Sequence, residues 1–256
     1  MIFIPPSDIQ IGPLPVHLYG LMVALAVLAS WYAAFRIAGR FGISRKELDQ
    51  SLLWLLIPGF IGARIYFVAF QWDYFAAHPG QIAAFWSGGM AIYGGLLGGA
   101  LGLLVFARRK GLSFWNFLDL TAVVVPLAQA IGRWGNYFNQ EAFGVPTNLP
   151  WGIFIAPRFR PAEYADFQFF HPAFLYESLW NLLVFAVLLK LSKKGYPAGR
   201  MAAYYILLYA PARFLIEGLR VDSLYLGSLR VSQLVSLIGI AAALGIIYRP
   251  PLWRKK

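Results

Sequence analysis

The chain contains no cysteine. That excludes disulfides, a thiolate nucleophile of the protein's own, Cys-ligated zinc and iron–sulfur clusters. Charge is scarce as well. Asp, Glu, Lys and Arg make up 13% of the 256 residues, where soluble domains carry about a quarter. The three histidines, His17, His78 and His171, lie far apart without metal-ligand spacing, so a metal site is not expected. The first 15 residues hold no Lys or Arg, so a cleavable signal peptide is not expected either. There is no Gly-x-Ser-Gly segment, no His-Glu-x-x-His and no aspartate pair within an apolar stretch. These absences speak against an intramembrane protease.

What the chain has in excess is apolar surface: 59% hydrophobic residues and a mean hydropathy of +0.61. This composition predicts an all-α polytopic membrane protein, because only helices and closed barrels satisfy the backbone in lipid. Seven apolar stretches can be read, at 16–35, 51–70, 88–107, 117–132, 173–191, 201–217 and 231–248. Pro126 interrupts the fourth. The third carries Gly94, Gly98 and Gly102 on one stripe, a pattern expected to let two helices approach closely rather than to hold a ligand.

The net charge of +11 could suggest nucleic acid, but its distribution argues for membrane topology. Arg36, Arg40, Arg45 and Lys46, then Arg108, Arg109 and Lys110, then Lys190, Lys193, Lys194 and Arg200, and finally Arg249, Arg254, Lys255 and Lys256 fall on one side. The other side has Arg133, Arg158, Arg160, Arg220 and Arg230. The positive-inside bias then sets the N-terminus outside and the C-terminus in the cytoplasm. On this reading residues 1–256 form one transmembrane domain. Within it, residues 133–172 form a small outward-facing subdomain, with a short strand expected inside 151–156.

Charges within apolar segments are costly and usually face an interior site. Here Arg64, Arg133, Glu177, Arg213 and Glu217 all fall at the depth of the outer headgroups, and only Asp119 lies toward the cytoplasm. Such clustering suits an enzyme acting on a lipid headgroup. A transporter of an anionic solute, the alternative, would place its site near the midplane. Guanidiniums grip phosphate oxygens through paired hydrogen bonds and can stabilise a departing phosphate. On the sixth stretch Tyr209, Arg213, Glu217 and Arg220 share one helical face. An internal Arg213–Glu217 ion pair and a functional arginine are both compatible with that spacing. For His171, Tyr176, Glu177 and Asn181 the spacing favours structural hydrogen bonding over chemistry.

The most informative segment is Gly132-Arg133-Trp134-Gly135-Asn136-Tyr137-Phe138-Asn139-Gln140-Glu141-Ala142-Phe143-Gly144. It is expected to leave the fourth helix at the outer interface as a headgroup grip, with Gly144 supplying a backbone turn. The segment resembles the signature of the prolipoprotein diacylglyceryl transferases. Tyr19-Gly20-Leu21-Met22, the stretch Gly88-Gly89-Met90-Ala91-Ile92-Tyr93-Gly94-Gly95-Leu96, His171-Pro172 through Tyr176-Glu177, and Tyr209 through Arg220 resemble the family's other motifs in order, so the resemblance covers nearly the whole chain.

The resemblance implies transfer of the sn-1,2-diacylglyceryl group from phosphatidylglycerol to the lipobox cysteine thiol of a preprolipoprotein, with glycerol-1-phosphate released. The sulfur nucleophile then belongs to the substrate, no metal or organic cofactor is implied, and residues 1–256 would be one catalytic domain in a bacterial inner membrane with 133–172 on the periplasmic side. The expected partners are phosphatidylglycerol and the signal peptides of preprolipoproteins, not nucleic acid. Arg133 would bind the lipid phosphate with Asn136, and Arg213 would be the second phosphate or leaving-group contact. Tyr19, Tyr93 and Tyr209 would line the site, with Asn139, Gly144, Glu217 and Arg220 among the substrate-binding residues. Glu141 would position Arg133, accept the thiol proton, or shape the loop through a salt bridge. Some family members have histidine where this chain has Tyr93. That departure argues against a histidine base here, since a neutral phenol donates a hydrogen bond but is a poor base near neutral pH.

Overall fold

In the computed structural model residues 4–248 are described. The chain is mostly helical. Its helices are α1 (Leu18–Ile37), α2 (Arg45–Phe70), the short α3 (Trp72–Ala77), α4 (Ile92–Lys110), α5 (Phe114–Asn139), α6 (Ala173–Leu191), α7 (Arg200–Leu219) and α8 (Val231–Tyr248). Three two-stranded antiparallel hairpins complete it: β1 (Asp8–Ile11) with β2 (Leu14–His17), β3 (Ile153–Phe154) with β4 (Phe169–Phe170), and β5 (Tyr225–Leu226) with β6 (Leu229–Arg230).

By length and composition, six helices among the described residues can cross a membrane; α7 is not one of them. It forms over the expected stretch, but Tyr204, Tyr205, Tyr209, Arg213 and Glu217 dilute its hydropathy. The basic tail residues Arg249, Arg254, Lys255 and Lys256 lie outside the described residues.

The structure divides into two compact units, residues 37–118 and the remainder. In the 37–118 unit, Ser44 and Glu47 start α2 with a reciprocal capping box. Along α4 the expected glycine stripe faces the α2 backbone. A Cβ on Gly94 would fall on the Gly62 carbonyl, one on Gly98 on the Pro58 carbonyl, and one on Gly102 on the Trp54 carbonyl. Pro58 lacks the N–H that would have bonded Trp54, and Gly102 lies against that freed carbonyl. The third stretch begins later than its expected position 88, because Gly88 and Gly89 have positive φ (78° and 73°) and cannot open a right-handed helix.

Arg64 belongs to this unit and is 5% exposed. Its Nε donates to the Ile82 carbonyl, its Nη1 to Gly88 and Gly89, and its Nη2 to Gln81, all at 2.6–2.9 Å. The rings of Phe67, Phe75 and Phe85 lie within 6.0 Å of its guanidinium carbon. Arg64 is therefore a latch for the loop before α4, not a headgroup ligand as its depth suggested.

In the other unit, α5 continues through Pro126 and past Gly132 to Asn139. The expected helix end at 132 is thus seven residues short. Asp119, buried on α5, accepts from the backbone N–H of Gly199 at 2.6 Å and of Ala202 at 2.9 Å. It caps α7 from another helix, which explains the carboxylate that fell away from the rest.

After α5 the chain folds on a small core of Phe143, Ile155 and Phe170, with Ile153, Tyr164 and Val221 against it. The expected short strand is present as β3, paired with β4. Gly144 does not form a turn; its φ is not positive. Its N–H donates to the His171 carbonyl at 2.9 Å, and it bridges to Arg220. A Cβ there would lie 2.7 Å from that of His171, so glycine is required for close approach.

Candidate active site

The C-terminal turns of α5 carry Arg133 and Asn136 three residues apart, hence on one face. Arg133 Nη1 donates to Asn136 Oδ1 at 3.3 Å, and Asn136 Nδ2 donates to Glu141 Oε1 at 2.8 Å. The backbone makes this relay possible. Gln140 N–H bonds the Tyr137 carbonyl at 3.1 Å, and Glu141 N–H bonds the Asn136 carbonyl at 3.0 Å. That pair is a Schellman closure, with Gln140 at φ 50° where glycine is usual. A left-handed non-glycine residue costs roughly 1–2 kcal/mol. The Gln140 side chain offsets part of this by accepting the Ala156 N–H at 2.7 Å. The closure folds Glu141 back over Asn136.

Glu177 on α6 is the hub of the site and is 3% exposed. Its Oε2 lies 2.6 Å from Arg133 Nη2, and its Oε1 lies 2.9 Å from Arg213 Nη1 and 3.9 Å from Arg220 Nη1. Arg213 on α7 also pairs with Glu217 one turn on, at 2.5 Å, and donates to Ser232 Oγ at 3.3 Å. The internal pair is therefore present, and the same guanidinium also reaches Glu177. Arg230 Nη1 donates to the Glu217 carbonyl. Arg220, just past α7, grips Asp222 in a bidentate fork at 2.9 and 2.8 Å. Burial works against its charge, but the hydrogen bond to Asp222 and the charges of Asp222, Glu177 and Glu217 together outweigh it and raise its pKa above the usual arginine value.

Three guanidiniums thus converge on one buried carboxylate. A lone buried charge is untenable; here each carboxylate is paired with guanidiniums that it orients. Tyr209 lies one turn before Arg213, stacked on Tyr205 at 5.5 Å, and is close enough to Glu177, Arg133 and Arg213 to feel their charges. Tyr19 on α1 lies against Gly135, where a Cβ would be 2.9 Å from its ring, and within electrostatic reach of Glu141 and Arg133.

Of the expected site residues, Tyr19, Arg133, Asn136, Glu141, Tyr209, Arg213, Glu217 and Arg220 are joined by these contacts. Asn139 lines a neighbouring cavity with Glu141 and Asp222. Tyr93 belongs to the 37–118 unit, where its ring is tilted against Tyr66 at 6.4 Å. His171 does not cap α6 with its side chain; its Nδ1 lies 3.1 Å from the Tyr176 hydroxyl, which accepts from Trp151 Nε1 at 2.9 Å. Asp222 and Gln140 also belong to the site, and neither is among the residues expected from sequence. The Arg-x-Asp spacing of Arg220 and Asp222 carries a signal for the first; no local signal marks the second.

A family model described as prolipoprotein diacylglyceryl transferase matches residues 6–249. A phosphatidylglycerol–prolipoprotein diacylglyceryl transferase of Synechococcus elongatus is 45% identical over 250 residues, covering 95% of this chain and 86% of the relative. Those of Trichormus variabilis and Acaryochloris marina, named alike, are 47% identical over 245 residues and 46% over 237. They cover 93% and 92% of this chain, and 87% and 86% of their own lengths.

Proposed function

The chain belongs to the prolipoprotein diacylglyceryl transferase family, and from that premise we propose that it moves the diacylglyceryl group of phosphatidylglycerol onto the lipobox cysteine of a preprolipoprotein. The observation that carries this reading is the convergence of Arg133 and Arg213 on the buried Glu177. Family membership lends the anionic-solute transporter no support.

The substrate thiol attacks the glyceryl carbon that bears the phosphate ester. A C–S bond forms as the C–O bond breaks, and glycerol-1-phosphate leaves. The thiol proton ends on the departing phosphate, whose second ionisation lies near neutrality, so total charge is conserved. Arg133 and Arg213 hold the phosphate and take up the charge that builds on it. Asn136 and Glu141 fix the Arg133 fork, Glu217 fixes that of Arg213, and Glu141 acts through Asn136 as a positioning residue. Tyr19 and Tyr209 flank the headgroup. Tyr93 donates a hydrogen bond to the substrate and is not the base.

In the membrane all seven long helices cross, α7 included, because its charged residues face the site rather than lipid. The basic connections face the cytoplasm, and 133–172 faces outward. The deciding experiment mixes purified protein with phosphatidylglycerol vesicles and a lipobox peptide, and reads the diacylglyceryl adduct by mass spectrometry. A peptide with serine in place of cysteine is the control. An adduct on the cysteine peptide alone is expected; no adduct would overturn the reading.

A further inference from the structure

A cavity of about 500 Å³ opens beside the arginine cluster. Its polar wall includes Asn139, Glu141 and Asp222, and its apolar wall includes Phe143, Phe159 and Val221. Both carboxylates are wired to the cluster, Glu141 through Asn136 to Arg133, and Asp222 directly to Arg220. A ligand in the cavity therefore lies next to whatever the arginines hold.

The charge of the wall decides what that ligand is. A carboxylate is an acceptor only, with about four lone-pair sites across its two oxygens. Glu141 accepts from Asn136 at one oxygen and Asp222 from Arg220 at both, and each is open to solvent with lone pairs left for further donors. Two such groups repel an anionic headgroup and favour N–H donors. The volume falls in the range of small-ligand pockets. Its walls suit a chain with small apolar side chains and unpaired backbone amides.

We propose that this cavity is the acceptor subsite. It takes the extended stretch of polypeptide next to the reacting cysteine, with backbone N–H groups donated to Glu141 and Asp222 and side chains against Phe143, Phe159 and Val221. The subsite rests on the transfer reading above. It adds that peptide and lipid are separated by charge, the lipid phosphate on guanidiniums and the peptide on carboxylates. It also makes the cavity a selectivity filter, in which a lysine beside the acceptor position binds better than a glutamate.

The test has an arm that does not need turnover. A photoreactive phenylalanine analogue at position 159 is irradiated with the non-nucleophilic serine peptide, with phosphatidylglycerol vesicles, or with both. Peptide adducts that unlabelled peptide competes away and vesicles do not are expected. Lipid adducts, or no peptide adduct, would overturn the subsite. In the turnover arm Val221→Trp, which narrows the cavity, raises the peptide KM about tenfold and moves the lipid KM less than twofold. An unchanged peptide KM in folded Val221→Trp counts against the subsite. The lysine peptide has a KM about fivefold below that of the glutamate peptide, and Asp222→Asn brings the ratio to about twofold. Equal KM values in the parent chain would remove the filter. If position 159 captures peptide but the parent chain makes no thioether, the transfer reading fails and the acceptor role with it, while peptide binding in the cavity stands. If the parent chain makes thioether but position 159 captures no peptide, the subsite fails and the transfer reading stands. Loss of both overturns both.

Discussion

Arg64 and Arg133 are both guanidiniums within apolar helices, and they are held in opposite ways. Arg64 is caged by four backbone carbonyl contacts and three aromatic rings. Arg133 is held by a carboxylate and an amide side chain, which are themselves held by other side chains. Carbonyls neutralise no charge and cannot be exchanged without undoing the loop that supplies them. A carboxylate fixes direction through ionic hydrogen bonds, and a phosphate arriving at the same cation competes with it on equal chemical terms. Depth in the bilayer marks both arginines as unusual. Only the identity of the acceptors separates a latch from a ligand site.

Removing the cation is the strongest test of that contrast. Arg133→Ala is expected to lower the transfer rate about 10⁴-fold, the scale of an arginine that stabilises departing phosphate, while the protein still inserts and folds. Initial rates with purified variant check this. Near-normal transfer would place Arg133 with Arg64 among the structural arginines. Next comes the hub. Glu177→Ala leaves Arg133 and Arg213 without the carboxylate that opposes them, and breaking a buried pair by deleting one partner costs about 3–5 kcal/mol. Thermal unfolding in detergent should show that loss together with loss of transfer. Glu177→Gln, which keeps the shape and one acceptor oxygen but turns an NH2 donor toward one arginine, should recover more of the stability than of the rate.

Arg64→Met tests the other side of the comparison. It strands several carbonyls, and unpaired buried polar groups cost about 1–3 kcal/mol each. Partial relaxation of the loop toward water should leave a net loss of about 2 kcal/mol. Melting of the variant checks the stability. The rate per folded molecule, obtained by dividing transfer by the folded fraction, should stay within twofold of the parent. A specific loss of rate would show that the 81–89 loop does more than hold α4 in place.

How far the sequence could separate these roles depends on what each residue depends on. Six helices long and apolar enough to cross a membrane were legible because lipid imposes long apolar stretches, and the glycine stripe because four-residue spacing puts Gly94, Gly98 and Gly102 on one face. The end of α5 was not legible. Gly132 and Gly135 look like breakers, yet the stop is a Schellman closure at Gln140, a residue with no marked left-handed preference, kept there by a hydrogen bond to Ala156 far along the chain. Gly144 was legible as a glycine that matters, but its reason is the His171 backbone beside it, known only after the loop has folded. The same holds for Glu177. Spacing placed it among polar helix residues, and three arginines, from α5, α7 and the segment just past α7, made it the hub. Arg64 was misplaced with the rest because its partners are carbonyls, which no sequence pattern displays.

Tyr93 is where the smallest effect is expected, and its size is diagnostic. It lies on α4 with its ring half-buried against Tyr66. If its hydroxyl only donates a hydrogen bond to substrate, Tyr93→Phe removes one neutral bond, worth about 1 kcal/mol, and kcat/KM falls about fivefold. If the phenol removed the thiol proton, the loss would reach the 10²–10⁴-fold range of general-base deletions. The two outcomes differ by more than a factor of ten, so steady-state rates of this one variant separate them. A fivefold loss leaves proton removal to the departing phosphate, and the arginines that gather its charge then carry the chemistry without a dedicated base.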